Sequence, residues 1–415
     1  MHTIVSWLLG YAFYYPLVMS FIWMSGGLIY FLSRERNQPS RVEPPELESY
    51  PFVTLIVPCH NEGKQVRETI AYLHAQRYPH FEVIAVNDGS TDDTGEQLDA
   101  LQAEMPRLRV IHLASNQGKA MGLRMAAMAA RGEFLVCVDG DALLDEYATH
   151  WLTSHMLQSA RVGAVTGNPR IRNRSTLLGK LQVGEFSSII GLIKRAQRSY
   201  GRVFTVSGVI ACFRKSALHD VGYWNTDMVT EDIDISWQLQ MRAWDVRYEP
   251  NALCWILMPE TLGGLWKQRL RWAQGGVEVI LRYAKQLLSW RRRHMWTIAL
   301  EYVLSLVWAY VMLTTVVLWL LSKLITLPPE LRIPTLLPHW HGVVLGIVCL
   351  LQFGLSTLID RRYETRVGRN YYWMIWYPLT YWLLSTATTV VALPKALLKR
   401  KGARAIWVSP DRGVQ

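Results

Sequence analysis

The 415-residue chain predicts an α/β domain with a parallel sheet, joined to membrane-spanning α-helices. Three observations carry this expectation. Half of the residues are apolar, and four long windows hold at most one charged residue each. Between the first two windows lies a polar block in which short apolar runs alternate with helix-like stretches. Each of those runs ends in a polar motif.

The windows are Ile4 to Leu32, Met295 to Leu321 (interrupted only by Glu301), His341 to Ile359, and Tyr371 to Leu393. Each is long enough to cross roughly 30 Å of hydrocarbon as a helix. Trp7, Trp296, Trp340, Tyr371 and Tyr372 sit near their ends, where amphipathic rings settle at a lipid interface. The first window starts without Lys or Arg, exceeds the apolar core of a signal peptide, and ends in Arg34 and Arg36. It reads as an uncleaved span over residues 1 to 33. The basic residues after it put the following block in the cytoplasm, and the same rule places "RRYETRVGR" (361 to 369) there. Three spans from 295 to 393 would leave the C-terminus outside, whereas the basic tail from 394 to 415 favours the inside. One late window is therefore not a full span, or another segment crosses. The window with Pro378 and the one with Glu301 are the weakest. The net charge of +11 suits a lipid surface, and no nucleic-acid partner is expected. Five scattered cysteines without a CxxC pair read as reduced core residues.

After a proline-rich linker (34 to 51), the soluble block opens on "FVTLIVP" (52 to 58) and continues with "FEVIAV" (81 to 86), "RVIHL" (109 to 113) and "FLVCV" (134 to 138). Helix-like stretches near 64 to 76, 92 to 104 and 119 to 130 separate them, which is the pattern of βαβ units. Ligands of such sheets bind beyond the carboxyl ends of the strands. There the chain places "PCHNE", "NDGSTDDT", "NQGKA" and "DGDALLD". Any one of these reads equally well as a turn or a helix cap. Four in register point to a site.

The residue types narrow its chemistry. Asp139 and Asp141 flank a glycine and suit a hard divalent cation shared with phosphates. Asp88 can accept hydrogen bonds from a nucleobase or ribose, and Lys119 can reach a phosphate. Asp145 falls outside the D-x-D spacing and reads as a loop or cap residue. Neither a P-loop nor a G-x-G-x-x-G string is present. In "MVTEDIDISW", Thr230 is a candidate N-cap, with Glu231 and Asp232 either complementing the helix dipole or, for Asp232, serving as a general base. "LWKQRLRWAQGG" (265 to 276) reads as a basic amphipathic helix on the membrane, with Trp266 and Trp272 at the interface and Lys267, Arg269 and Arg271 toward phosphates.

"NDGSTDD", "DGD", "TED" and "QRLRW", in that order, resemble the D, DxD, TED and QxxRW series of the processive family 2 glycosyltransferases. "VGAVTGNPRIR", "VFTVSGVIA", "CWILMPETL" and "WVSPDRG" are similar to the branch that builds β-1,6-linked poly-N-acetylglucosamine for biofilm matrix. The resemblance runs from about residue 20 to the end, with one N-terminal span where two are expected. It implies a glycosyltransferase A-type domain (52 to 260), interfacial helices (261 to 294), and UDP-N-acetylglucosamine as donor to a growing polysaccharide. It implies further that Asp88 binds uridine, that Asp139 and Asp141 hold the diphosphate with Mg²⁺ (or Mn²⁺), and that Asp232 is the base of an inverting transfer. Lys119, Gln268, Arg271 and Trp272 complete the donor site on this reading. A bacterial inner membrane with the catalytic domain in the cytosol, and exit of the polymer through the spans, follow from it. The resemblance also suggests a small membrane partner subunit and activation by cyclic di-GMP. Residues 361 to 369 and 395 to 404 are candidate surfaces for that anion, with lipid contact the preferred reading of both. The rival readings are a synthase of chitin-type oligosaccharide or hyaluronan, and a transporter with a regulatory domain. Ionisable residues, which mark ion paths, are nearly absent from the spans.

Overall fold

The computed structural model describes residues 4–333, 335, 339–364, 367–400 and 402–407. Its soluble part is built from β1 (Val53–Cys59), β2 (Phe81–Asp88), β3 (Leu108–Leu113), β4 (Phe134–Val138), β5 (Leu143–Leu144), β6 (Val162–Ile171), β7 (Ile210–Arg214) and β8 (Asp245–Ile256). They form one sheet in the order β3-β2-β1-β4-β7-β6-β8-β5. The first four strands coincide with the four apolar runs, and the helices Val66–His74, Thr94–Glu104 and Lys119–Ala129 fill the intervals. Strand side chains alternate between two covered faces. Val53, Leu55 and Val57 pack with Ile70, Leu73 and Leu98, whereas Ile56 and Leu135 pack with Leu123 and Ala126.

β1 to β4 pair in parallel. The parallel expectation stops there, because β7 runs antiparallel between β4 and β6. It starts at the edge where β4 ends, Ile210 facing Val138, so it can only run away from that edge. The chain leaves β1 toward β2 and β3 and returns to its other side as β4, which makes the carboxyl ends of β1 and β4 a topological switch point. β6 carries irregularities between Thr166 and Asn168 on this side of the molecule, as strands near sites commonly do. Asp145 ion-pairs with Arg41 of the linker and accepts a bond from the Tyr147 amide at 3.3 Å, at the entrance to the helix Ala148–Leu157. All five cysteines are free, and four are buried.

Four stretches, Ile4–Glu35, Trp290–Leu324, His341–Asp360 and Tyr381–Leu398, are long and apolar enough to cross a membrane. Trp7, Phe21, Leu320, Ile347 and Leu351 point outward from them, as lipid-facing residues do. Two of the stretches are bolted to the soluble domain by buried ions. Arg195 is fully buried, bonds Glu35 at 2.6 Å, and ion-pairs with Asp360 at 3.0 Å. Arg170 of β6 takes the other Asp360 oxygen at 2.8 Å, and the Tyr363 hydroxyl donates to Glu35 at 2.8 Å.

The last long helix, Tyr377–Leu398, packs chiefly along the helix Leu262–Leu287. Near its start Tyr381 packs with Phe353 and Leu181, and just past its end Lys399 bonds Glu278 at 2.9 Å and the Asp227 carbonyl at 2.6 Å. Beyond it, the Ala405 amide donates to the Thr226 carbonyl at 2.9 Å. The described part of the tail, up to Trp407, therefore lies against the soluble domain. Of the basic segments weighed for an anion, Arg362 donates to the carbonyls of Glu35, Arg36 and Pro39, and Arg404 bonds Gln117. Residues 365, 366 and 401, and "WVSPDRG" beyond Trp407, lie outside the described residues.

Candidate active site

Of the eight residues singled out in the sequence, seven line one cavity of about 490 Å³: Lys119, Asp139, Asp141, Asp232, Gln268, Arg271 and Trp272. Asp88 does not. It closes β2 with its side chain fully buried, and its two oxygens accept the amides of Gln117 (2.7 Å) and Gly118 (2.8 Å). It thereby fixes the loop from which Lys119 starts its helix. Gly118 is required there twice over. Its φ is +89°, and a Cβ would lie 2.2 Å from the Ala405 carbonyl oxygen of the tail.

Lys119 turns back into the site rather than outward. Its ammonium contacts Asp139 at 2.6 Å and Glu231 at 3.0 Å, and donates to the Gly208 carbonyl at 3.0 Å. Burial favours its neutral form, but Asp139 and Glu231 outweigh burial and hold it charged. Burial pushes the Asp139 carboxyl above the usual carboxylate range, Lys119 opposes this, and neighbouring Asp141 adds to it. Glu231, which the sequence offered only as a dipole-complementing residue, belongs to the site. Burial lifts it, but the Lys119 ion pair wins and it titrates low.

Asp232 stands beside this ion cluster at the start of the helix Glu231–Met241. Burial, and then the Glu231 charge, push its carboxyl up to about 6 against Lys119 and Arg271. One oxygen accepts the Ile233 amide at 2.9 Å. Thr230 occupies the N-cap position but makes no capping bond, and its buried hydroxyl has no partner among the described residues. The Leu262–Leu287 helix packs closely against it at Gly275: a Cβ there would lie 1.9 Å from the hydroxyl.

That helix opens on Thr261, whose hydroxyl accepts the Gly264 amide at 3.1 Å. Its three basic residues part ways, contrary to the expectation that all face phosphates. Lys267 is exposed. Arg269 is buried, bonds Glu185 at 2.6 Å, and lies 4.3 Å from the centre of the Trp272 ring. Arg271 is the member of the three whose charge acts on Asp232 and Glu231. The tail adds Trp407, the first residue of the quoted "WVSPDRG" string, to the cavity lining: it exchanges bonds with the Asn116 side chain and lies 6.0 Å from the His60 ring.

The cavity continues past Asp232 and Trp272 to Tyr15, Trp23, Glu301, Ser305, Thr388 and Thr389 on the apolar helices. Glu301 is a cavity residue, accepting the Trp23 indole at 3.1 Å and the Gln197 amide at 3.3 Å. The segments around 166 to 169 and 205 to 213 border the same space through Pro169 and Thr205 to Val209.

A family described as glycosyltransferase like family 2 matches residues 51–275. Poly-beta-1,6-N-acetyl-D-glucosamine synthases of Staphylococcus epidermidis and Staphylococcus aureus are each 38% identical, covering 96% of this chain and 97% of the relative. The chain belongs to the family 2 glycosyltransferases. The fold of this family 2 glycosyltransferase agrees with that of a mannosyltransferase from Pyrobaculum calidifontis solved in complex with GDP-Man and Mn²⁺. The two share a TM-score of 0.56 and 20% identity, over 94% of this chain and 99% of the other. The family 2 assignment accounts for the DGD, TED and QRLRW groups meeting in one cavity although well over a hundred residues separate the first from the last.

Proposed function

We propose that this membrane glycosyltransferase polymerises N-acetylglucosamine from UDP-N-acetylglucosamine through β-1,6 bonds and passes the chain into the membrane. One observation carries this: a single cavity joins the Asp139–Asp141 pair, Asp232, and the polar groups of the apolar helices. The named relatives supply the sugar and linkage.

On this reading the donor diphosphate lies against Asp139, Asp141 and Arg271. The half-buried Asp139, with its raised carboxyl, and the buried Asp141 fit a divalent cation, and the lack of a third His, Cys, Asp or Glu ligand grouped with them among the described residues fits one shared with phosphate oxygens. Such a cation, Mg²⁺ or Mn²⁺, would supply Lewis-acid stabilisation of the diphosphate. Lys119 keeps Asp139 and Glu231 charged and in place. Asp232, unionised at low pH and ionised near neutrality, takes the proton of the acceptor 6-hydroxyl. The oxygen then forms its bond to donor C1 as the C1–O bond to UDP breaks, and Arg271 stabilises the charge left on the diphosphate. One displacement inverts the anomeric carbon, so a single base suffices. Trp272 and Gln268 border the acceptor end. Asp88 acts on the uridine pocket through the Gln117–Gly118 loop.

The topology follows by parity. The domain and the tail share one side, so the Trp290–Leu324 and His341–Asp360 helices cross out and back. The Tyr377–Leu398 helix lies along the interfacial helix. With Arg34 and Arg36 after the first span, that side is the cytosol, where nucleotide sugars are supplied. The partner subunit and cyclic di-GMP remain expectations drawn from the family resemblance alone.

The test is membranes carrying the full chain, supplied with labelled UDP-N-acetylglucosamine and a divalent cation, with linkage analysis of the product. Release of UDP with 1,6-linked polymer supports the proposal. A different linkage would replace it with another synthase, and no UDP release would defeat it.

A further inference from the structure

Beyond the donor groups, the cavity wall includes a buried lysine that none of the chemistry above uses. Lys194 is 6% exposed and belongs to the helix Ile193–Tyr200, which follows a π-helical turn at Phe186–Leu192. Its ammonium has three hydrogens to donate. Among the described residues it has one hydrogen-bond partner, the Thr166 hydroxyl at 3.3 Å. That hydroxyl already accepts the Ser207 amide at 2.7 Å. No carboxylate of the described residues lies within ion-pair distance of Lys194.

Three other charged groups of the cavity contrast with it. Lys119 has Asp139 and Glu231, Arg269 has Glu185, and Glu301 has Trp23 and Gln197. A buried ammonium short of partners is costly unless what fills the cavity supplies them. The position says what that is. Lys194 feels the Asp232 charge, and one turn further along its helix Gln197 holds Glu301 among the apolar helices. Of the cavity carboxylates it is thus Asp232, rather than Asp139 or Asp141, whose charge acts on Lys194, and its helix continues to the apolar helices. On the synthase reading, an acceptor sugar with its 6-hydroxyl at Asp232 would share this cavity with Lys194.

The geometry points to Lys194 as an acceptor-binding residue, its free N–H bonds donated to an uncharged oxygen of the terminal sugar of the growing chain. Charge-assisted bonds of this kind are directional and strong, so they set how the sugar is turned as well as whether it stays. A single cation facing neutral oxygens also suits a chain that must slip forward one sugar at a time. Loss of this contact leaves donor cleavage by water possible and makes transfer to the chain inefficient. The inference rests on the synthase reading.

The experiment measures two products together in membranes carrying the full chain: UDP released from UDP-N-acetylglucosamine, and sugar incorporated into polymer. The ratio of sugar incorporated to UDP released does not depend on how much protein is folded. Lys194→Met is expected to lower it at least tenfold and to shorten the polymer, and Lys194→Arg to restore most of it. A Lys194→Met ratio equal to that of the unsubstituted chain would overturn the inference. So would complete loss of UDP release in Lys194→Met, which would place the residue in the donor site or the fold. If the unsubstituted chain releases no UDP, it is the synthase reading that fails.

Discussion

Asp232→Asn removes the proposed base while preserving shape. The carboxylate is ionised in a site that pushes it up to about 6, against an ordinary 3.8. Holding that charge in place costs roughly 3 kcal/mol. The amide relieves this cost and keeps an oxygen to accept the Ile233 amide, so the variant is expected to be as stable as the parent or more so. The donor groups, Asp139, Asp141 and Arg271, are untouched, and UDP-N-acetylglucosamine should bind with a Kd within about threefold of the parent, less than 1 kcal/mol. Turnover should behave otherwise. A positioned general base contributes roughly 10²- to 10⁴-fold, equivalent to about 3–5 kcal/mol of barrier. Calorimetric titration of the donor, followed by UDP release on the same preparation, separates the two effects. Donor binding lost together with turnover would show that Asp232 holds the donor. Turnover unchanged would remove it from the base role.

Because Asp232 must be ionised to accept the proton, kcat/KM for UDP release should be full above its pKa and fall about tenfold per pH step below roughly pH 6. A limb near pH 4, the ordinary carboxylate range, would refute the raised value. Gly275→Ala should force Thr230 and the Glu231–Asp232 turn away from the helix; overpacking of this kind costs about 1–3 kcal/mol. UDP release should fall more than tenfold while donor binding persists, and a fully active Gly275→Ala enzyme would show that the contact does not position Asp232. Arg195→Gln leaves Glu35 and Asp360 buried with one partner fewer, which should cost about 3–5 kcal/mol. Thermal unfolding in detergent checks this against Arg172→Gln, whose exposed pair with Glu68 is worth at most about 1 kcal/mol.

Much of the donor half was legible because its signals are local. A strand of continuous apolar residues, a glycine between two aspartates, and a polar motif at each strand end can be read within ten residues of sequence. Glu231 lay inside the "TED" string, yet nothing nearby distinguished it from a dipole-complementing residue, since its partner Lys119 is more than a hundred positions away. Long sequence separation likewise hid Arg195 with Glu35, Arg269 with Glu185, and Trp407 with Asn116. Lys267, Arg269 and Arg271 share one short basic run, and composition cannot say which of them finds a buried carboxylate. The late apolar windows show the same limit from the other side. Hydropathy scores a helix by what it can dissolve in, so Tyr381–Leu398 passes as a candidate span, and only the contacts near its two ends carry the proposed placement along the interfacial helix.

Lys194 and Arg195 are neighbours on one helical turn and reach different partners. Arg195 meets the ends of two membrane-embedded helices, at Glu35 and Asp360, while Lys194 faces the cavity. Whatever angle those helices take to the soluble domain is therefore transmitted to the cavity wall within a single turn, through full ion pairs rather than through yielding apolar contacts. A surface loop in this place would let the membrane and catalytic parts drift independently, and the acceptor hydroxyl would meet Asp232 only by chance. Burying the ions is costly in stability compared with a well-packed apolar joint. What it gains is a fixed orientation between Asp232 and the cavity wall on the apolar helices, which the proposed transfer to a retained chain would require.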